Sequence, residues 1–299
     1  MNYKNILKIV SLTILVLLIS FFVFGYWFIG LIKDDKHHKA HNVENTLPSD
    51  LAFLTIDSIK NRGKVLAVVT STAEMGTSGK STGYELTELS RAYYVFQANG
   101  FEVDVASPEG GTPPVVIDDD DVDIYDFAFL NDPIAQYKTH NTISLSEVNI
   151  DEYEAVYFVG GKGAMYDFPD NQYIQSLVRE YFESGKIIGA VCHGPAALVN
   201  VKLSDDEYMI EGKKMSSFTN DEELFLIPEA LTIFPFLLQS ELSKRGALFS
   251  QNSLYLENVV HDENLITGQN PWSTWELAET MIAQMGYTPK MRQKTAEEI

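Results

Sequence analysis

Cysteine is almost absent from this chain. A single one, Cys192, stands among 299 residues, which excludes an intrachain disulfide framework and any zinc site built on clustered cysteines. Basic residues are scarce as well. Lys and Arg number 22 against 42 Asp and Glu, a formal net charge of −20 that opposes binding to nucleic acid or adsorption to an anionic membrane surface. No internal repeat is visible. His37, His38 and His41 lie together in a polar segment, but with no scaffold to orient them they are assigned no metal. The four carboxylates of residues 118–121 lack the spacing of a calcium loop and read as a solvated acidic turn. Neither segment is assigned a metal.

What is present is ample apolar material: 45% of residues are hydrophobic, enough for a full core. One apolar stretch stands apart. Residues 9–32 carry no charge and end near Tyr26-Trp27-Phe28; at roughly 1.5 Å per residue they can cross a bilayer, with the aromatics at its interface. The run is long for a signal peptide and no small-x-small cleavage site precedes the polar segment, so a single uncleaved transmembrane helix is expected, which makes the membrane a partner. Lys4 and Lys8 on one side nearly balance Lys33, Lys36 and Lys39 on the other. A short lysine-bearing tail tends to be retained, which leans the following domain outside the cytoplasm. Residues 1–8 then form a flank, 33–58 a juxtamembrane linker, 59–288 the main folded domain and 289–299 a charged tail that frays.

Within the domain, apolar β-branched runs at 65–70, 101–107, 156–159 and 187–191 alternate with helical spacing over 84–99 and 172–184. Such alternation implies an α/β fold, a parallel sheet covered by helices on both faces. Residues 231–238 read as a buried segment leading into a helix over 238–246, Asp262-Glu263-Asn264 as the turn of a strand pair, and 275–285 as a last helix.

Cys192 falls between the strand at 187–191 and a helix opened by Pro195. A strand-to-helix turn displays its apex side chain at the carboxyl end of a sheet, and the amide groups that start the helix favour a thiolate. The plain alternative is a small buried hydrophobe, which gives no reason for this position. A cysteine nucleophile needs a proton acceptor and donors for an oxyanion. His193 is adjacent; neighbours on a sharp turn diverge, so it is expected to act on the substrate rather than as sole activator of the thiol. Gly160-Gly161, at the end of a neighbouring strand, offers backbone N–H groups.

Ala190-Val191-Cys192-His193-Gly194-Pro195 together with Val159-Gly160-Gly161 resembles the DJ-one/PfpI superfamily. Thr82 to Leu89, Gly100 to Pro108, Ser217 to Glu223, Pro235 to Leu238 and Leu265 to Pro271 are similar, in order, to its glyoxalase III branch, also called heat-shock-protein-thirty-one-like. The resemblance spans roughly residues 64–286 and implies a flavodoxin-like, doubly wound parallel sheet and a homodimer. It also implies cofactor-free conversion of a small aldehyde such as methylglyoxal to a 2-hydroxy acid, with related deglycase activity. It places the catalytic carboxyl at Glu88, leaving Glu85 and Glu102 as ordinary carboxylates, and the oxyanion donors at Gly161 and Gly160, with the His193 backbone N–H acting beside Gly161. The acidic partner that orients His193 falls near Asp221 or Asn220. Lys162 stands at the substrate mouth where the branch commonly has histidine. Two other readings stand beside this one: an amidase or peptidase with His193 as base, and a non-catalytic protein that senses redox through Cys192 or holds unfolded chains on an apolar surface.

Overall fold

Alternation of side chains along each strand sets the layers. The computed structural model describes Ser20 and residues 43–119 and 121–292. The chain divides into two compact units, Met1–Val43 and Glu44–Ile299. The segment expected to span a membrane lies, Ser20 apart, outside the described residues, as do His37, His38, His41 and Asp120; among the described residues no helix is long and apolar enough to cross one.

In the second unit the strands of the central sheet are β1 (Gly63–Val68), β2 (Phe101–Ser107), β3 (Ile143–Ser144), β4 (Ala155–Phe158), β5 (Ile187–Val191), β6 (Val259–Asp262) and β7 (Leu265–Gly268). They form one sheet in the order β6-β7-β5-β4-β1-β2-β3. All pairings are parallel except β6 with β7, which is antiparallel. The sheet is therefore mixed rather than wholly parallel, because the short turn after β6 can only return the chain beside itself.

Val65 and Ala67 of β1 point into one apolar cluster with α1 (Leu86–Ala98), α2 (Ile124–Leu130), α3 (Pro133–His140) and α7 (Thr274–Gln284). Leu66 and Val68, one residue out of phase, point into the other with α4 (Gln172–Ser184) and α6 (Leu238–Lys244). Both faces are thus covered, as the apolar strands require. Asn171 caps α4 by accepting from Tyr173 and Ile174 N–H, and Gly185 ends it at φ 75°, a left-handed closure that favours glycine.

Three expectations change. Leu51 and Phe53 are buried in the core, with the Phe53 ring 6.3 Å from that of Tyr125, so the polar linker ends before residue 58. Leu231 is 70% exposed while Phe234 and Leu238 are buried, so residues 231–238 are only partly interior. The tail does not fray at once: Lys290 N–H donates to Asn99 Oδ1 at 2.6 Å, and Asn99 Nδ2 donates back to Lys290 O at 3.2 Å. The acidic turn is also tied down through Asp121, which pairs with buried Arg91 at 3.2 Å.

Candidate active site

The strand order reverses between β1 and β4, and a crevice opens at such a switch point beyond the carboxyl ends of the strands. Phe158 of β4 pairs with Ala190 of β5, so Gly160 and Cys192, each two residues on, emerge side by side. Cys192 is buried with φ 57°. This is a left-handed backbone rare for a side-chain-bearing residue. Its carbonyl accepts from Phe218 N–H at 2.8 Å and its own N–H donates to Gly268 O at 3.0 Å, which holds the strained turn from two sides.

His193 lies closer to the thiol than expected. Its Nδ1 is 3.3 Å from Cys192 Sγ, so the two side chains converge instead of diverging. Its Nε2 is 2.5 Å from Glu223 Oε2. The partner is therefore Glu223, and neither Asp221 nor Asn220 is that neighbour; Asn220 instead donates through Nδ2 to Ser240 Oγ at 2.8 Å. The helix start explains this. Thr219 caps α5 (Asn220–Leu226) and Glu222 folds back onto the Thr219 N–H as its capping-box partner. Glu222 Oε1 also accepts from Tyr255 N–H, Gln269 Nε2 and Asn270 Nδ2, each at 3.0 Å. With Glu222 so fixed, the next residue faces the imidazole. The His193 ring packs against those of Phe218 and Phe234 at centroid distances of 4.7 and 6.2 Å.

Glu88, in the first turn of α1, is fully buried. Its Oε2 accepts from Gly160 N–H at 2.6 Å, its Oε1 is buried with no hydrogen-bond partner, and the carboxyl lies close enough to the Cys192 thiol for each to act on the other's charge. Burial, and then the neighbouring Glu85, push Glu88 well above the usual carboxylate range. Burial and the Glu88 charge push the thiol up too. The arrangement favours a neutral Glu88 that donates to the sulfur when the thiolate forms.

Gly160 and Gly161 split in role. The Gly160 N–H is committed to Glu88 and is not a free oxyanion donor, a correction to its expected part. A Cβ there would come within 2.6 Å of Glu88 Oε2 and 2.8 Å of His193 N, so only glycine lets the two walls meet. Among the described residues the Gly161 and His193 N–H groups have no acceptor, which leaves them for an oxyanion.

Lys162 follows, half-buried, and its charge reaches Glu85, Glu88 and Cys192. Glu85 is not the ordinary carboxylate it resembled in sequence. Its Oε1 is buried without a hydrogen-bond partner, and burial raises its pKa from 4.5 to about 8. Among the described residues no group of three His, Cys, Asp or Glu side chains could hold a metal ion.

Known proteins align with this arrangement. The DJ-1/PfpI family model matches residues 80–284. Glyoxalase 3 of Candida albicans is 28% identical over 232 residues, covering 74% of this chain and 97% of that protein. The glutathione-independent glyoxalase HSP31 of Saccharomyces cerevisiae is 30% identical over 236 residues, 73% and 96% of the respective chains. Among solved structures, the rapid encystment protein of Francisella tularensis superposes with a TM-score of 0.70 at 36% identity, covering 76% of this chain and 99% of that one. Glyoxalase III from Candida albicans superposes at 0.66 with 26% identity, covering 76% and 98%. A thiol on a strained turn, a fold shared along nearly the whole of these relatives, and the family match over the entire site together mean that this chain belongs to the DJ-1/PfpI family, as a distant homologue of the glutathione-independent glyoxalases.

Proposed function

We propose that this protein converts methylglyoxal or a related 2-oxoaldehyde to the 2-hydroxy acid without an external thiol. The observation that carries the reading is the buried Glu88 carboxyl set against Cys192, on a different wall from the His193–Glu223 pair. It supplies a neutral acid beside the sulfur while a separate imidazole takes the thiol proton.

His193 Nδ1 accepts the proton of Cys192 Sγ, and the thiolate adds to the aldehyde carbon. The resulting oxyanion lies at the Gly161 and His193 N–H groups and takes the proton of Glu88. Glu88, now a carboxylate, removes the hydrogen from that carbon while His193 passes the thiol's proton to the neighbouring oxygen, giving an enediol; Glu88 then delivers the hydrogen to the adjacent carbon and recovers its own proton from the first hydroxyl as that becomes the thioester carbonyl. A thioester on Cys192 remains, and water cleaves it to the 2-hydroxy acid and the free thiol. One carbon is oxidised and its neighbour reduced, so the balance closes with water alone. The cysteine takes the place of glutathione, which explains how such a reaction dispenses with it.

Lactate formation from methylglyoxal by the purified full-length chain, without glutathione, tests this. Cys192→Ala and Glu88→Gln should each abolish it; turnover at the normal rate by either variant overturns the reading. The Cys192–His193–Glu223 line also fits a cysteine amidase or peptidase, favoured by the 3.3 Å Sγ–Nδ1 contact. Amine release from amide substrates, with no lactate from methylglyoxal, selects that second reading. The anchor expected over residues 9–32 and the homodimer belong to the same proposal; recovery of the chain in carbonate-washed membranes and its mass in detergent check them.

A further inference from the structure

The loop after β4 brings a cation to the mouth of the site that none of these catalytic steps uses. Gly161 has φ 93°, and a Cβ there would lie 2.4 Å from Gly83 O and 2.7 Å from Glu85 N. The loop is thus pressed against the 83–85 backbone. The turn that follows is closed by Ala164 N–H to Gly161 O at 3.1 Å and Met165 N–H to Lys162 O at 3.3 Å. Lys162 therefore leaves a rigid loop beside Glu85 and the thiol. Half-buried, it makes no ion pair among the described residues, although the chain carries 42 acidic residues.

An ammonium in a partly desolvated crevice with no counter-ion is an electrostatic vacancy for an anion. Resting on the glyoxalase reading, we propose that Lys162 and Glu85 make this site selective for 2-oxoaldehydes whose far end carries a carboxylate. Glu85 supports it. Burial holds this group up to about 8 against the pull of Lys162, with Asp118 and Asp121 adding to the rise. At neutral pH its buried carboxyl is uncharged and can donate to a substrate carboxylate rather than repel it. A single carboxylate suits the site better than a phosphate dianion, because Asp118 and Asp121 lie close enough to act on the same place.

Two measurements on the full-length chain decide it. Cys192 is the only thiol, so its alkylation by iodoacetate and by the neutral isostere iodoacetamide reads the local field directly, and the ratio of the two rates cancels any change in thiolate fraction. Lys162→Gln should lower that ratio roughly fivefold or more, and added salt should lower it in the parent protein. In turnover, 4,5-dioxopentanoate should exceed 2-oxopentanal in kcat/KM in the parent, and Lys162→Gln should erase the difference. An alkylation ratio equal in parent and variant overturns the proposal. Turnover of both aldehydes with no charge preference overturns it while leaving the glyoxalase reading in place. Turnover of neither aldehyde, with the alkylation ratio still dependent on Lys162, removes the glyoxalase reading and confines the proposal to anion capture at the thiol.

Discussion

Replacing Glu85 by glutamine should make the protein more stable, and increasingly so as pH rises. The ordinary carboxyl value is 4.5 and the folded one about 8. Below 4.5 both the folded and unfolded chains hold the proton and the group contributes nothing to pH dependence. Between the two values the unfolded chain has released its proton while the folded one retains it, so stability falls as pH rises, by up to about 1.4 kcal/mol per unit for one proton. Across the full interval this approaches about 5 kcal/mol as an upper bound; the partial solvent access of the side chain reduces the expectation to about 2–3 kcal/mol. The amide introduced by Glu85→Gln keeps the shape and never ionises. Urea unfolding of parent and Glu85→Gln at several pH values between 5 and 8 gives the difference directly. It should be near zero at the acid end, grow through neutrality and level off near pH 8. A difference that stays constant with pH refutes the assignment of Glu85 as a group held neutral by burial.

Glu223→Gln should preserve the fold while lowering kcat roughly two to four orders of magnitude, because the imidazolium loses its charge partner; methylglyoxal turnover within tenfold of the parent would refute this role. Gly160→Ala places a Cβ 2.6 Å from Glu88 Oε2 and 2.7 Å from Val191 O, and should destabilise by about 1–3 kcal/mol. An unchanged Tm would show that the two walls are not in contact. At Gly189 a Cβ would lie 2.2 Å from Met281 Sδ, so Gly189→Ala should lower Tm and Met281→Ala should restore part of the loss. A double-mutant cycle with zero coupling would contradict that packing.

The strands of the central sheet were legible because two-sided burial demands continuous apolar runs, and Ile187–Val191 is buried at every position. Residues 124–140 show the opposite case. Helices Ile124–Leu130 and Pro133–His140 are announced only by their caps, Asp123 and Asp132, whose carboxylates accept from the first-turn N–H groups. Their own apolar spacing is short and ambiguous. The site divides in the same way. Cys192, His193 and the glycine pair sit on one turn or one strand end, so local sequence carries them. Glu223 was hidden among Asn220, Asp221 and Glu222 on a single helical turn, although the Thr219–Glu222 capping spacing contains the register. Glu85 could not be found locally at all, since its carboxyl is buried by the fold and the loop packed on its backbone lies more than seventy residues away in sequence.

Helix α1 carries Glu88 in its first turn and, farther along, Leu89, Tyr93 and Phe96, all buried in one apolar cluster. The acid of the site thus shares a rigid body with the middle of the protein, and cannot drift without taking the sheet with it. Glu223 belongs to a seven-residue helix whose Phe225 and Leu226 face solvent. Warming should therefore disarm the imidazole before it disturbs the acid. Heat inactivation would begin below global melting and reverse on cooling, with the thiol still seated beside Glu88.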